Sequence, residues 1–280
     1  LDSRTGRKRS ETVLNELIPG TDKNLQTLIA SNKSMPLANP DLLSSDGRRI
    51  YMQTQKFDLE GKRLEIGPQP PSPRVSEGDD RHVFCQTGFL DEVWFHRSHM
   101  VYGDNCGEGW RFYYRTQDVN PCGRLLAVDG KRVYGFRADN LGNVLLPTPR
   151  YRLYAADLNG RYEQAVTESG KGDKSKKDRA GGRDDPQRIA GGYRLYWRMP
   201  SPPLLANAMV VAGGSLCVAG PPDVADETKM LGFLPGADDE ANRQLEAQEA
   251  AWRGKRGGLL CVVSAEDGKV LASYKTGAPP

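Results

Sequence analysis

Leu125-Leu126-Ala127-Val128-Asp129-Gly130-Lys131-Arg132-Val133-Tyr134-Gly135 is an apolar, then alternating, run broken once by Asp-Gly. A dipeptide of that kind serves as the turn of a β-hairpin, so Arg124 to Gly135 reads as two short antiparallel strands. The same design recurs from Leu42 to Met52, with Asp46-Gly47 at the turn, and from Met209 to Ala219, with Gly213-Gly214 and one residue fewer. Each hairpin is followed by a strand that is expected to end in an acidic turn of the form D-x-x-G-[KR] or a relative of it. The three copies are Phe57-Asp58-Leu59-Glu60-Gly61-Lys62-Arg63-Leu64, Ala156-Asp157-Leu158-Asn159-Gly160-Arg161 and Ser264-Ala265-Glu266-Asp267-Gly268-Lys269-Val270-Leu271. A hairpin with a closing strand, written three times, predicts repeated antiparallel sheets.

The hairpin turns recur at intervals of 83 and 84 residues, whereas propeller repeats run to about 40–50. Either each blade carries a large insertion, or residues 82–115 build a divergent blade between the first two. Within that stretch Trp110, Phe112 and Tyr114 alternate with Arg111, Tyr113 and Arg115, the pattern of a strand with one buried face. Residues 1–40 are polar, with two short helical patterns: Val13, Leu14, Leu17 and Ile18, halted by Pro19-Gly20, then Leu25, Leu28 and Ile29. They read as a connecting segment, and 41–280 as the blades. Pro68, Pro70, Pro71 and Pro73 exclude a central strand there. Residues 170–187 are densely charged, hold no apolar side chain larger than Ala, and read as a disordered loop. A helical insertion is expected within 221–256, its core Asp238 to Arg253, stopped by Gly254, with Ala241, Leu245 and Trp252 on one narrow face and Trp252 set against a sheet rim.

The 280 residues include 31 Gly and 19 Pro, with 38 % hydrophobic residues, which suits a β-rich core cut by many turns. Against 39 Lys and Arg stand 36 Asp and Glu, mixed along the chain, so no basic field points to nucleic acid. No apolar run approaches the roughly 20 residues of a membrane-spanning helix. The start at Leu1 without Met and the stop at Pro279-Pro280 directly after a strand lead to the expectation of a segment from a longer protein. Cys85, Cys106, Cys122, Cys217 and Cys261 lack metal-finger spacing. Cys217 and Cys261 sit in apolar strand patterns and read as small buried hydrophobes, while Cys106 and Cys122 would be free to pair in an exported protein.

The stretch from Val262 through Ser264-Ala265-Glu266-Asp267-Gly268-Lys269 to Tyr274 resembles the blade signature of the PQQ-like β-propellers, in which a strand ends in A-x-D-x-x-T-G-K-x-x-W. Here Ser264 stands for the Asp, Asp267 for the Thr and Ala272 for the Trp that packs between blades, so that packing has to come from another side chain. Phe57 to Leu64 and Ala155 to Arg161 look like weaker copies. Gly88-Phe89-Leu90-Asp91 leading into Trp94, and Gly254-Lys255-Arg256-Gly257-Gly258 leading into the last repeat, are similar to a subgroup found in large exported bacterial proteins. The resemblance implies an all-β fold, a partial PQQ-like propeller of antiparallel blades with short helical insertions, and a periplasmic or extracellular location.

Quinoprotein dehydrogenases of this superfamily hold their cofactor with adjacent cysteines, a stacking Trp and calcium ligands. No two cysteines are adjacent here, and C-x-x-C-H is absent, so neither quinone nor c-type haem is expected. Gly213-Gly214-Ser215-Leu216-Cys217 lacks the last Gly of a nucleophile elbow, and Gly170-Lys171-Gly172 lacks the context of a phosphate loop. The densest polar and aromatic cluster is Asp91, Glu92, Trp94, His96, Arg97, His99 and Tyr102. On a strand His96 and His99 would point to opposite faces, which argues against a shared metal. Trp94, His96, Arg97, His99 and Trp110 are therefore the candidate ligand or partner surface. The expected function is a non-catalytic binding or scaffolding module, with an unknown protein or small-molecule ligand and the rest of the same polypeptide as partners. The alternative is part of a quinoprotein-like oxidoreductase whose cofactor site lies outside this segment.

Overall fold

The structure is a computed structural model and describes residues 2, 4–15, 17–24, 43–52, 55–64, 81–85, 100–103, 120–138, 151–161, 193–226 and 239–278. The fold is all-β. The described strands form four antiparallel sheets, with one helix among the described residues. The chain divides into two compact units, Leu1–Cys122 and Gly123–Pro280.

In the first unit β1 (Leu43–Ser45), β2 (Ile50–Met52) and β3 (Gln55–Phe57) pair in sequence order. A second sheet is ordered β4 (His82–Cys85), β5 (Met100–Gly103) and β6 (Cys122–Gly123), the last straddling the boundary. Strands at 82–85, 100–103 and 122–123 thus form a sheet of their own, placed in the sequence between the first two hairpins. The Tyr51 and His82 rings stack at 4.1 Å, nearly parallel. Cys122, a free thiol, is buried with Phe84 and Val101, and Cys106 lies outside the described residues.

The second unit holds two four-stranded sheets. One is ordered β10 (Tyr193–Pro200), β9 (Tyr151–Arg161), β8 (Arg132–Ala138), β7 (Leu125–Val128). The other is ordered β11 (Ala208–Ala212), β12 (Ser215–Gly220), β13 (Gly258–Ser264), β14 (Val270–Thr276). They share one core: Tyr134, Phe136, Leu153, Ala155 and Trp197 from the first meet Leu216, Val218, Cys261 and Val263 from the second, with Leu204, Leu205 and Ala206 of the connector between them. The first strands of the two sheets, β7 and β11, approach each other. Chain connectivity in each sheet therefore runs from one edge to the other, as in a blade.

The hairpins form where the sequence places them, but not all by the expected turn chemistry. Gly213-Gly214 makes a true two-residue turn, both glycines at positive φ, with Ala212 paired to Ser215. At the other two hairpins the aspartate, more than the glycine, sets the turn. Asp129 Oδ1 accepts the N–H groups of Lys131 and Arg132, each at 2.7 Å, and Oδ2 accepts the Tyr134 hydroxyl at 2.9 Å. Asp46 repeats this with Arg48 at 2.8 Å, Arg49 at 2.7 Å and Tyr51 at 2.9 Å. Gly47 takes φ +83°, whereas Gly130 stays out of the left-handed region. Satisfying two otherwise orphaned N–H groups and a buried hydroxyl with one carboxylate explains why Asp and Tyr occur at this spacing in both.

Several expectations are corrected. Asp157 to Arg161 does not end the strand: β9 continues through it, Arg132 pairing with Asp157 and Tyr193 with Arg161, with an irregularity where the register to β10 shifts between the Ala156–Leu195 and Arg161–Tyr193 pairs. The described residues 13–15, 17 and 18 are not helical; Leu17 instead bridges Asn24, and Arg63 donates to Asn15 Oδ1 at 2.7 Å and to the Leu17 carbonyl at 3.1 Å. Helix α1 spans Asp239–Trp252, close to expectation, and ends at Gly254 with φ +78°. Its docking face differs. Leu245 and Trp252 are exposed, while Gln248 and Ala251 are buried. Gln248 Oε1 accepts the N–H groups of Val224 and Ala225, and its Nε2 donates to the Pro222 carbonyl. Ordered main-chain groups at 222–225 need partners more than Trp252 needs cover, so polar satisfaction decides the rotation of the helix. Cys261 is buried as expected, but Cys217 is only half-buried.

Candidate functional site

Trp94, His96, Arg97, His99 and Trp110, the surface expected from the sequence, lie outside the described residues, as do the second helical pattern at Leu25–Ile29, the strand at 110–115 and the charged loop 170–187. Tyr102, at the end of the cluster, is placed: it lies in β5 with its hydroxyl group's pKa raised by burial, and its N–H donates to Pro121. Among the described residues no group of three His, Cys, Asp or Glu could hold a metal, and no helix is long and apolar enough to cross a membrane.

The best-defined constellation joins the two sheets of the second unit. Trp197 projects from β10, and its Nε1 donates to the Ala265 carbonyl at 3.0 Å. The indole lies directly on Gly268 of the β13–β14 turn, where an added Cβ would stand 2.6 Å from the ring. Gly268 holds φ +75°. Both constraints, left-handed backbone and no room for a side chain, call for glycine. The same Ala265 oxygen accepts a hydrogen bond from the Arg132 guanidinium. Arg132 also lies over the Tyr196 ring at 4.5 Å, and the Tyr196 hydroxyl donates to Asp157 Oδ2 at 2.9 Å. That bond, and some burial, raise the Tyr196 pKa.

The turn that receives Trp197 is held by its own polar groups. Ser264 N–H donates to the Lys269 carbonyl and Gly268 N–H to the Ser264 carbonyl. Asp267 pairs with Lys269 at 2.7 Å, and its carboxyl is held at about 2 chiefly by that side-chain bond, with help from Ser264.

Strand pairing shows what the sequence reading missed. Trp197 pairs with Ala155, just as Ala272 pairs with Val262 in the next sheet. The side chain sought at position 272 is thus supplied one sheet earlier. A signal was available: in Tyr193-Arg194-Leu195-Tyr196-Trp197-Arg198-Met199 the alternate residues Tyr193, Leu195 and Trp197 are buried and Met199 half-buried, while those between them are exposed.

A second surface lies on α1, where Asn242, Leu245, Glu246, Glu249 and Trp252 line an open groove of about 520 Å³. Its walls are two apolar side chains among carboxylates, and Glu249 is engaged by Arg253 at 2.7 Å. Comparison with protein-family models, with curated proteins and with solved structures returned no match.

Proposed function

We propose that this chain is part of a β-propeller of the PQQ-like type that works as a non-catalytic binding or scaffolding module of an exported bacterial protein, periplasmic or extracellular. The observation that carries the reading is the Trp197 joint. An outer-strand tryptophan that packs onto the glycine of the following sheet's turn, while its N–H caps a carbonyl there, fits the role the resemblance gives to the signature tryptophan. Edge-to-edge strand order within each sheet, and the approach of β7 to β11, support the same reading. The partners are a protein or small-molecule ligand, met at the surface expected around Trp94, His96, Arg97, His99 and Trp110, and other blades of the polypeptide that close the disc.

The test is a titration of the full chain with pyrroloquinoline quinone and calcium, followed by absorbance, beside a dye-linked alcohol oxidation assay. No binding in the micromolar range and no turnover are expected. Micromolar binding would overturn the non-catalytic reading, and turnover would replace it with the oxidoreductase.

A further inference from the structure

The chain passes from the first sheet of the second unit to the other through Pro200-Ser201-Pro202-Pro203. Proline fixes φ at about −65°, so within this run only Ser201 has a φ that can turn. Its value is +52°, and Ser201 is the one residue other than glycine at positive φ among the described residues. A left-handed backbone is costly for a residue with a Cβ, and a following proline restricts that residue further, towards extended conformations. The closed unit therefore holds strain at the point where its two halves connect.

On either side of Ser201 the main chain is committed to a different sheet. The Ser201 N–H donates to the Tyr151 carbonyl at 3.1 Å, which ties it to the start of β9. From Pro203 onward the main-chain bonds run to 219–223, at the end of β12: the Asp223 N–H donates to Pro203 at 3.0 Å, Leu205 to Pro221 at 2.9 Å and Asn207 to Ala219 at 2.8 Å. Leu204 also bridges Pro222, and Gly220 lies so close to the Leu205 carbonyl that no Cβ would fit there. Residues 203–207 thus belong with β11–β14, and Ser201-Pro202 is left as the pivot. Across that pivot the halves are held by the shared core and by Trp197, on the same strand as Ser201 and just ahead of it, whose Nε1 bonds the Ala265 carbonyl.

We propose that Ser201-Pro202 is a hinge on which the two sheets part as bodies, each keeping its own strand ladder. Left-handed strain at Ser201 favours opening, and the Trp197 joint opposes it. Opening uncovers the core face of the second sheet, with Leu216, Val218, Cys261 and Val263. The proposal does not depend on the propeller reading.

Cys261, a free thiol 3 % exposed within this core, reports the motion. The full chain is treated with N-ethylmaleimide, modification of Cys261 is followed by peptide mass spectrometry, and hydrogen exchange of β12 and β13 is measured alongside. A hinge labels Cys261 while the amides of β12 and β13 stay protected, because their ladder survives in the open form. Ser201→Gly should slow the labelling at least about threefold, since relief of the left-handed strain exceeds the freedom that glycine adds to the open form. Ser201→Ala keeps the Cβ and should label as the wild type does. Trp197→Phe loosens the joint and should speed labelling. Far-UV circular dichroism checks that each variant stays folded. Labelling of Cys261 only in step with loss of amide protection in β12 and β13 overturns the proposal, because the core then opens by unfolding. So does a Ser201→Gly variant that labels as fast as the wild type or faster.

Discussion

Removing Trp197 gives the sharpest test of how the two sheets of the second unit are held together. The side chain is only 8 % exposed, so Trp197→Ala withdraws nearly a whole indole from a packed joint, a change that costs about 3–5 kcal/mol in well-filled cores. The lost hydrogen bond adds little beyond that, because the Ala265 carbonyl keeps its bond from Arg132 and is not orphaned. Trp197→Phe retains most of the ring and loses the N–H, for about 1–2 kcal/mol. Gly268 supplies the second half of the cycle. Gly268→Ala places an L side chain at φ +75°, for about 1–2 kcal/mol, and drives its Cβ to 2.6 Å from the indole, for about 1–3 kcal/mol more. Once Trp197 is Ala the second cost disappears and only the backbone strain remains. The double-mutant cycle should therefore show a coupling of about 1–3 kcal/mol. Urea unfolding followed by circular dichroism reads the energies, and hydrogen exchange of β10 and β13 locates them. Trp197→Ala costing under about 1 kcal/mol, or additive effects of the two substitutions, would refute the reasoning.

Asp129→Ala leaves two turn N–H groups and the buried Tyr134 hydroxyl without their acceptor and should cost about 1–3 kcal/mol, with Asp46→Ala doing the same in the first hairpin; thermal melts check both. Burial alone would push the Asp129 and Asp46 carboxyls up, but the bonds from the turn N–H groups and the tyrosines outweigh it and hold both below the ordinary value. Their contribution is therefore present above the unfolded value of about 4 and is lost as pH falls through the lowered one, so an acid titration should lose this increment in wild type and not in the double Asp→Ala variant. Burial first, and the bond to Asp129 second, push Tyr134 up to about 12; its contribution is full below about pH 10 and fades as pH rises through that raised value, which ultraviolet titration of tyrosinate would follow. Gln248→Ala should cost about 1–3 kcal/mol and speed hydrogen exchange of α1, whereas the exposed Trp252→Ala should stay within about 0.5 kcal/mol; equal effects would sink the docking assignment. Replacing His96 or Arg97 by Ala should leave stability within about 0.5 kcal/mol if they serve an exposed recognition surface, and strong destabilisation by both would make the cluster structural.

Legibility in the sequence followed the range of the forces. Hairpins at 46–47, 129–130 and 213–214 were readable because their turn residues and alternation are local. So was the stop of α1 at Gly254. Helix rotation was not readable, since the apolar pattern of Leu245 and Trp252 competed with the need of 222–225 for the Gln248 amide, a contact more than twenty residues away. At Asp157 to Arg161 the sequence favours a turn, since Asp, Asn and Gly are depleted in strands, but pairing of Asp157 with β8 and of Arg161 with β10 overrides that local preference and carries the strand through. Trp197 was overlooked for a related reason: its importance comes from Gly268, far along the chain, and not from its neighbours. The aspartate–tyrosine spacing, Asp46 with Tyr51 and Asp129 with Tyr134, was printed twice in the sequence and could have been found by aligning the hairpins on their turns. The candidate surface at 94–110 rests on the sequence alone.

The aspartate staples and the tryptophan joint also differ in when they can form. Every bond to Asp129 closes within five residues, a loop that a chain explores in well under a microsecond. The Trp197 to Ala265 bond spans 68 residues and becomes available only after both sheets exist, so its closure entropy is met late. Damage at Asp129 should accordingly appear in the folding limb of a chevron plot, and damage at Trp197 in the unfolding limb. The lifetime of the native unit, and with it resistance to proteases, is then governed by one indole at a sheet junction, while the rate at which the unit is reached is governed by carboxylates in its turns.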